Sequence, residues 1–154
     1  MNITFEFSSY LLTFFIEYQR STFTRYNLTK YLLKFANTSI DVSDGLIDDL
    51  AKMINKQNLS FHLFENKIPI SNKLRIFIKK QRLNKINLIS NGDDYQVLFT
   101  ADIKKARIIQ KASKTTGIKI TKIGKIITGK DRSLIFDEKG KQIRAKSKGY
   151  IHRF

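Results

Sequence analysis

Cysteine and tryptophan are absent from this 154-residue chain, proline occurs once and glycine seven times. Without cysteine, disulfide staples and thiolate metal sites are excluded, and the composition suits a reducing, cytoplasmic setting. The two histidines, His62 and His152, are too few for a zinc centre, and His62 falls within an expected strand, where it reads as structural. Acidic residues are scarce, 13 against 29 Lys and Arg, for a net charge of +16. Such a balance favours polyanionic partners. The cations, however, are spread through 73–85, 104–114, 119–130 and 139–148 rather than along one stripe interleaved with aromatics. Nucleic-acid binding is therefore not the expected main role. Long apolar runs are also missing. The strongest, Tyr10–Ile16, is too short to cross a bilayer and is bracketed by Glu6 and Glu17 with no basic residue ahead of it. It is expected to be a core-packing helix or a surface that meets another domain, and neither a signal peptide nor a transmembrane segment is expected.

What remains suits one domain with a sizeable core. Leu46, Leu50, Met53 and Ile54 recur at helical spacing, as do Leu74, Phe77 and Ile78, and a third helix is expected from near Asp102 through Ala106, Ile109 and Ala112. Strands are expected at Leu59–Phe64, Tyr95–Thr100, Ile118–Ile126 and Ser133–Phe136. Asp137-Glu138-Lys139-Gly140 reads as a hairpin turn returning through Lys141–Ile143. Helices interspersed with mixed strands predict an α+β fold, a layered mixed sheet with helices.

Two acidic segments carry the chemistry. In Ser39-Ile40-Asp41-Val42-Ser43-Asp44-Gly45-Leu46-Ile47-Asp48-Asp49-Leu50 the end of a strand leads into a helix, so that Asp41, Ser43 and Asp44 sit at a strand-to-helix junction. Free amides at a helix start attract phosphate oxygens, and carboxylates are the oxygen donors Mg2+ accepts when it bridges protein and nucleotide. Ser or Asp ahead of an apolar helix is equally ordinary capping, and Asp48 and Asp49 read as first-turn acids that complement the helix dipole. The second segment, Ser90-Asn91-Gly92-Asp93-Asp94-Tyr95-Gln96-Val97-Leu98-Phe99-Thr100, reads as a glycine turn and two acids entering a largely buried strand.

Together these segments resemble the second half of thiamine-monophosphate kinase, with its Asp-Ile/Val-Ser-Asp-Gly-Leu run followed by Gly-Gly-Glu-Asp-Tyr-Glu-Leu-Leu-Phe. Ile68-Pro69-Ile70-Ser71, Ile123-Gly124-Lys125-Ile126 and the closing Gly149-Tyr150-Ile151-His152-Arg153-Phe154 are similar to further marks of that family in the same order. The resemblance covers residues 38–154. Residues 1–37 are expected to be a divergent N-terminal helical segment, and the family's N-terminal nucleotide-binding domain is expected to be absent.

The resemblance implies an α+β domain like the C-terminal domain of the aminoimidazole ribonucleotide synthetase superfamily. It also implies ATP-dependent phosphorylation of thiamine monophosphate to thiamine diphosphate, with Mg2+. By the same resemblance, Asp41 and Asp44 hold Mg2+, Ser43 touches the nucleotide phosphates, and Asp93 and Tyr150 contact the substrate; no residue is assigned as a catalytic nucleophile. Asp93 stands where the family has Glu, one methylene longer, and Asn91 where it has Gly. With half of the site missing, the chain is not expected to be active alone. The partner that completes it is expected to be a separate N-terminal half or a second copy. A non-catalytic remnant and a basic nucleic-acid-binding module are the alternatives.

Overall fold

The computed structural model describes residues 11–16, 22–55, 57–90 and 96–144. Among these residues seven strands form one sheet: β1 (Leu11–Ile16), β2 (Ala36–Val42), β3 (Leu59–Phe64), β4 (Gln96–Asp102), β5 (Ile120–Thr128), β6 (Leu134–Phe136) and β7 (Gln142–Ile143). Their order is β2-β4-β1-β5-β3-β6-β7, antiparallel except for the parallel pair β3 and β6. Five helices accompany them: α1 (Thr22–Phe35), α2 (Leu46–Met53), α3 (Asn72–Gln81), α4 (Lys85–Leu88) and α5 (Ala106–Thr116). The expected α+β fold, a mixed sheet layered with helices, is the observed one.

Both faces of the sheet are covered, as β4 shows most plainly. Leu98, Phe99, Thr100 and Ala101 are all buried in succession, which a strand achieves only when each face meets other chain. Leu98 joins Val42, Leu46, Leu50, Met53, Leu63, Ile86 and Ile123 in one core. Phe99 and Ala101 point the other way, into a second core with Leu28 and Phe35 of α1 and Ile109 and Ala112 of α5.

One expectation is corrected. The apolar run near the N-terminus is not a helix: Leu11–Ile16 forms β1, paired antiparallel to β4 on one side and β5 on the other. A strand inside a sheet satisfies its backbone groups on both sides, and a short run this apolar suits that place as well as it suits a helix. The segment 1–37 is thus not helical throughout, and the limit at residue 37 falls within β2.

The expected strand Leu59–Phe64 is β3 residue for residue, and the hairpin turn lies at Asp137–Gly140, where the Asp137 amide donates to the Lys141 carbonyl at 2.9 Å. The third helix begins after Asp102, whose carboxylate accepts from the Lys104 amide at 2.8 Å. Ile103 sits in the 3₁₀ turn ahead of α5 and stays largely exposed. α3 forms where Leu74, Phe77 and Ile78 place it, started by the Ser71 hydroxyl, which accepts from the Leu74 amide at 3.1 Å. Yet α3 buries none of its residues.

Gly124 explains one of the later sequence marks. A Cβ there would stand 2.5 Å from the His62 carbonyl oxygen, so close pairing of β5 with β3 admits only glycine.

Candidate functional site

The two acidic segments, some fifty residues apart in sequence, meet at one end of the sheet. β2 pairs with β4 so that Asp41 lies opposite Val97 and Val42 opposite Gln96. Beyond Val42 the chain turns at Ser43-Asp44-Gly45 into α2. Gly45 adopts φ +121°, and its backbone presses on Ser90: a Cβ at this position would stand 2.3 Å from the Ser90 carbonyl oxygen. The Leu46 amide donates to the Ile89 carbonyl at 3.3 Å. Both flanks of the second acidic segment, Ser90 and Gln96, are therefore held against the first.

No side chain of the N-cap residue caps α2, because that residue is Gly45. Asp49 takes over from within the helix. Its carboxylate reaches back so that Oδ2 accepts from the Ser43 amide at 2.9 Å and from the Asp44 amide at 3.0 Å. Asp49 is 1% exposed, and a buried carboxylate is tolerated only when its oxygens are satisfied in this way. First-turn dipole complementarity understates this residue, which fixes the backbone of the junction.

Lys52, one turn farther along α2, supplies the countercharge. Its ammonium donates to Asp49 Oδ1 at 2.9 Å and also contacts Asp44 Oδ2. The hydrogen bond to Asp44, followed by that to Asp49, holds the Lys52 pKa above its ordinary value. Lys52 lies outside the acidic motif that the sequence displays. The i,i+3 spacing to Asp49 was a visible signal, whereas the reach to Asp44 depends on the turn at Gly45.

The expected site residues divide accordingly. Asp41 is exposed on edge strand β2, and Ser43 and Asp44 are half-buried in the junction. Asp93 and Tyr150 lie outside the described residues, as do Asn91, Asp94 and Tyr95. Gln96, opposite Val42, has a buried Oε1 with no donor among the described residues. No group of three or more His, Cys, Asp or Glu side chains able to hold a metal is found among the described residues. Along the chain the junction carries the Asp41 and Asp44 carboxylates and the Ser43 hydroxyl, with Asp44 engaged by the Lys52 ammonium.

Elsewhere, a groove of about 810 Å3 runs between α3, α4 and the β6–β7 hairpin. Its half-buried Lys85 donates to the carbonyls of Glu65 at 2.6 Å and Ile68 at 2.7 Å, so it serves as a strut. Burial lowers its pKa despite the nearby Glu65. His62 stands edge-on to Phe136 with ring centroids 5.2 Å apart, consistent with a structural role. No helix among the described residues is long and apolar enough to cross a membrane.

No protein-family profile matches the chain. Among characterised proteins it is 36% identical over 122 residues to the thiamine-monophosphate kinase of Buchnera aphidicola subsp. Acyrthosiphon pisum, a match covering 79% of this chain and 37% of that protein. A match of this length cannot avoid either acidic segment. Against the thiamine-monophosphate kinase of Aquifex aeolicus, identity is 35% over 77 residues, covering 49% of this chain and 25% of the relative. Solved structures agree on the fold. A thiamine monophosphate kinase from Aquifex aeolicus aligns with a TM-score of 0.60 at 22% identity, over 86% of this chain and 51% of that one. AaThiL complexed with AMPPCP and TMP aligns at 0.65 and 23%, over 94% and 52%. Escherichia coli HypE, a hydrogenase maturation protein, aligns at 0.65 with only 11% identity, over 96% and 52%. The chain spans a quarter to just over a third of the length of these curated relatives. In sequence this chain is similar to part of the length of the thiamine-monophosphate kinases, and it shares their fold over that part.

Proposed function

We propose that this chain is a thiamine-monophosphate kinase-like half-domain, one wall of a site for ATP-dependent phosphorylation of thiamine monophosphate. The observation that carries this reading is the junction itself: Asp49 fixes the backbone of Ser43 and Asp44, and Gly45 closes it onto Ser90. A loop held this firmly can present Asp41 and Asp44 to a metal and Ser43 to a phosphate at little entropic cost on binding. The names of the relatives point to thiamine monophosphate as the acceptor, and the neighbour complexed with AMPPCP and TMP supports a nucleotide and that acceptor as ligands.

In the proposed reaction an oxygen of the acceptor phosphate attacks the terminal phosphorus of ATP, the bond to the bridging oxygen breaks, and ADP leaves. Donor and acceptor are both polyanions, so the work is alignment and charge neutralisation, and no covalent nucleophile is needed. Mg2+, when bound, would screen the phosphates. This chain's share is Asp41 and Asp44 as its ligands, Ser43 on the phosphates, and Asp93 and Tyr150 on the acceptor. The proposed partner for the rest of the site is a separate N-terminal half or a second copy of this chain.

Calorimetric titration with Mg-ATP and with thiamine monophosphate tests the reading. Metal-dependent binding by the wild type, lost in Asp41→Ala and Asp44→Ala, is the expected result. A folded chain that binds neither ligand overturns it. A second reading, a basic surface for polyanions, draws on Lys73, Arg75, Lys79 and Lys80, exposed along α3 with no acid among them. It predicts affinity for single-stranded RNA that falls steeply with salt.

A further inference from the structure

We propose that α3 is a lipid-docking helix: its outward stripe of Lys73, Ile76, Phe77 and Lys80 lies flat on an anionic bilayer surface, with the two apolar side chains at the acyl boundary and the two lysines among the headgroup phosphates. The stripe shares no residue with the acidic junction.

Spacing defines the stripe. Residues 73, 76, 77 and 80 stand at i, i+3, i+4 and i+7, so on a helix they form one face. All four are exposed, whereas Leu74 and Ile78 are half-buried. A second face of α3, with Arg75, Ile78 and Lys79, borders the groove beside it. None of the stripe residues lines that groove, whose acids Glu65, Asp137 and Glu138 accompany Arg75 and Lys79 instead. Ile76 is 67% and Phe77 51% exposed, an apolar pair with a lysine one turn before it and another one turn after it.

Charge and size select the occupant. Residues 72–82 contain Lys73, Arg75, Lys79, Lys80 and Arg82 and no acid, and the whole chain carries a net +16. The partner is therefore anionic, and a second copy of the chain is repelled. One face of a 10-residue helix falls well short of the roughly 800 Å2 per partner that specific protein interfaces bury. Single-stranded nucleic acid stacks its bases on aromatic rings, a use that Phe77 offers and Ile76 does not. A bilayer asks for no reciprocal shape. It takes aliphatic and aromatic side chains alike, while flanking lysines lay their stems along the interface and keep their ammonium groups among phosphates.

Flotation of the full chain with lipid vesicles tests this. Vesicles of seven parts phosphatidylcholine to three parts phosphatidylglycerol are expected to carry the chain upward, and vesicles of phosphatidylcholine alone are not. Ile76→Ser combined with Phe77→Ser is expected to lower the partition coefficient about tenfold. Lys73→Gln combined with Lys80→Gln is expected to lower it by about ten- to thirtyfold. Both pairs should keep the wild-type circular dichroism, because the four side chains are exposed. Should the serine pair lose helical signal, Ile76→Gln with Phe77→Gln makes the same comparison with better helix formers. No flotation with the anionic vesicles overturns the inference, as does equal flotation with both compositions. Apolar variants that float as the wild type does also overturn it, since adsorption is then a matter of charge alone. If the wild type binds poly(U) RNA and ignores anionic vesicles at the same ionic strength, the stripe serves nucleic acid and the proposal is wrong.

Discussion

α2 and α3 are short helices of comparable length, 8 and 10 residues, yet α2 buries Leu46, Asp49, Leu50 and Met53 while α3 buries nothing. Both carry apolar residues at helical spacing and both have lysine in the last turn. What separates them is what lies opposite. α2 is pressed between the end of β2 and Ser90, so even its aspartate is enclosed. α3 follows Ser71 out along the edge of a groove and leaves Ile76 67% and Phe77 51% exposed. Apolar periodicity predicts a helix in either case, but only a packed neighbour makes it rigid. The region proposed for chemistry is the enclosed one, in keeping with sites built on supported backbone.

The sharpest way to break the contrast is Gly45→Ala. The new Cβ would meet the Ser90 backbone at 2.3 Å, and alanine adopts φ +121° only under strain. A loss of about 3 kcal/mol or more in urea-induced unfolding is expected, because neither backbone can yield cheaply. A loss below 1 kcal/mol would mean that the junction is not closed onto Ser90 in solution.

Asp49→Asn probes the same region more gently. The amide retains one acceptor oxygen for two backbone donors, and its NH2 group would face either those amides or the Lys52 ammonium. About 2 kcal/mol of destabilisation is expected for a buried network left part-satisfied. The measurement is again the urea midpoint, with hydrogen exchange at the Ser43 and Asp44 amides as the local readout. Unchanged protection there would remove Asp49 from its place as the anchor.

Much of this molecule could be read before its structure. Leu46, Leu50 and Met53 announce α2 by spacing, and Leu59–Phe64 announces β3 by β-rich composition and flanking turn residues. The Asp41 to Asp44 segment was legible as a junction because its residue types suit one. Three features were not legible, for different physical reasons. Leu11–Ile16 lacks an alternating pattern, so its composition could not tell a strand paired on both sides from a helix. Asp49 and Lys52 depend on a backward reach across the turn at Gly45, a geometry set by φ and not by spacing along a helix. The outward face of α3 looks in sequence like a buried stripe, and only tertiary packing shows that nothing covers it among the described residues.

That face supports the mildest prediction and the most direct test of the contrast. Ile76→Ser and Phe77→Ser remove apolar side chains that are already more than half in water, so each should change unfolding free energy by no more than about 0.5 kcal/mol. The equivalent change at Leu50, fully buried in α2, should cost about 3 kcal/mol or more. If instead the α3 variants lose as much as Leu50→Ser and do so with a dependence on protein concentration, a second copy covers this helix in solution. The difference between α2 and α3 would then belong to the isolated chain alone.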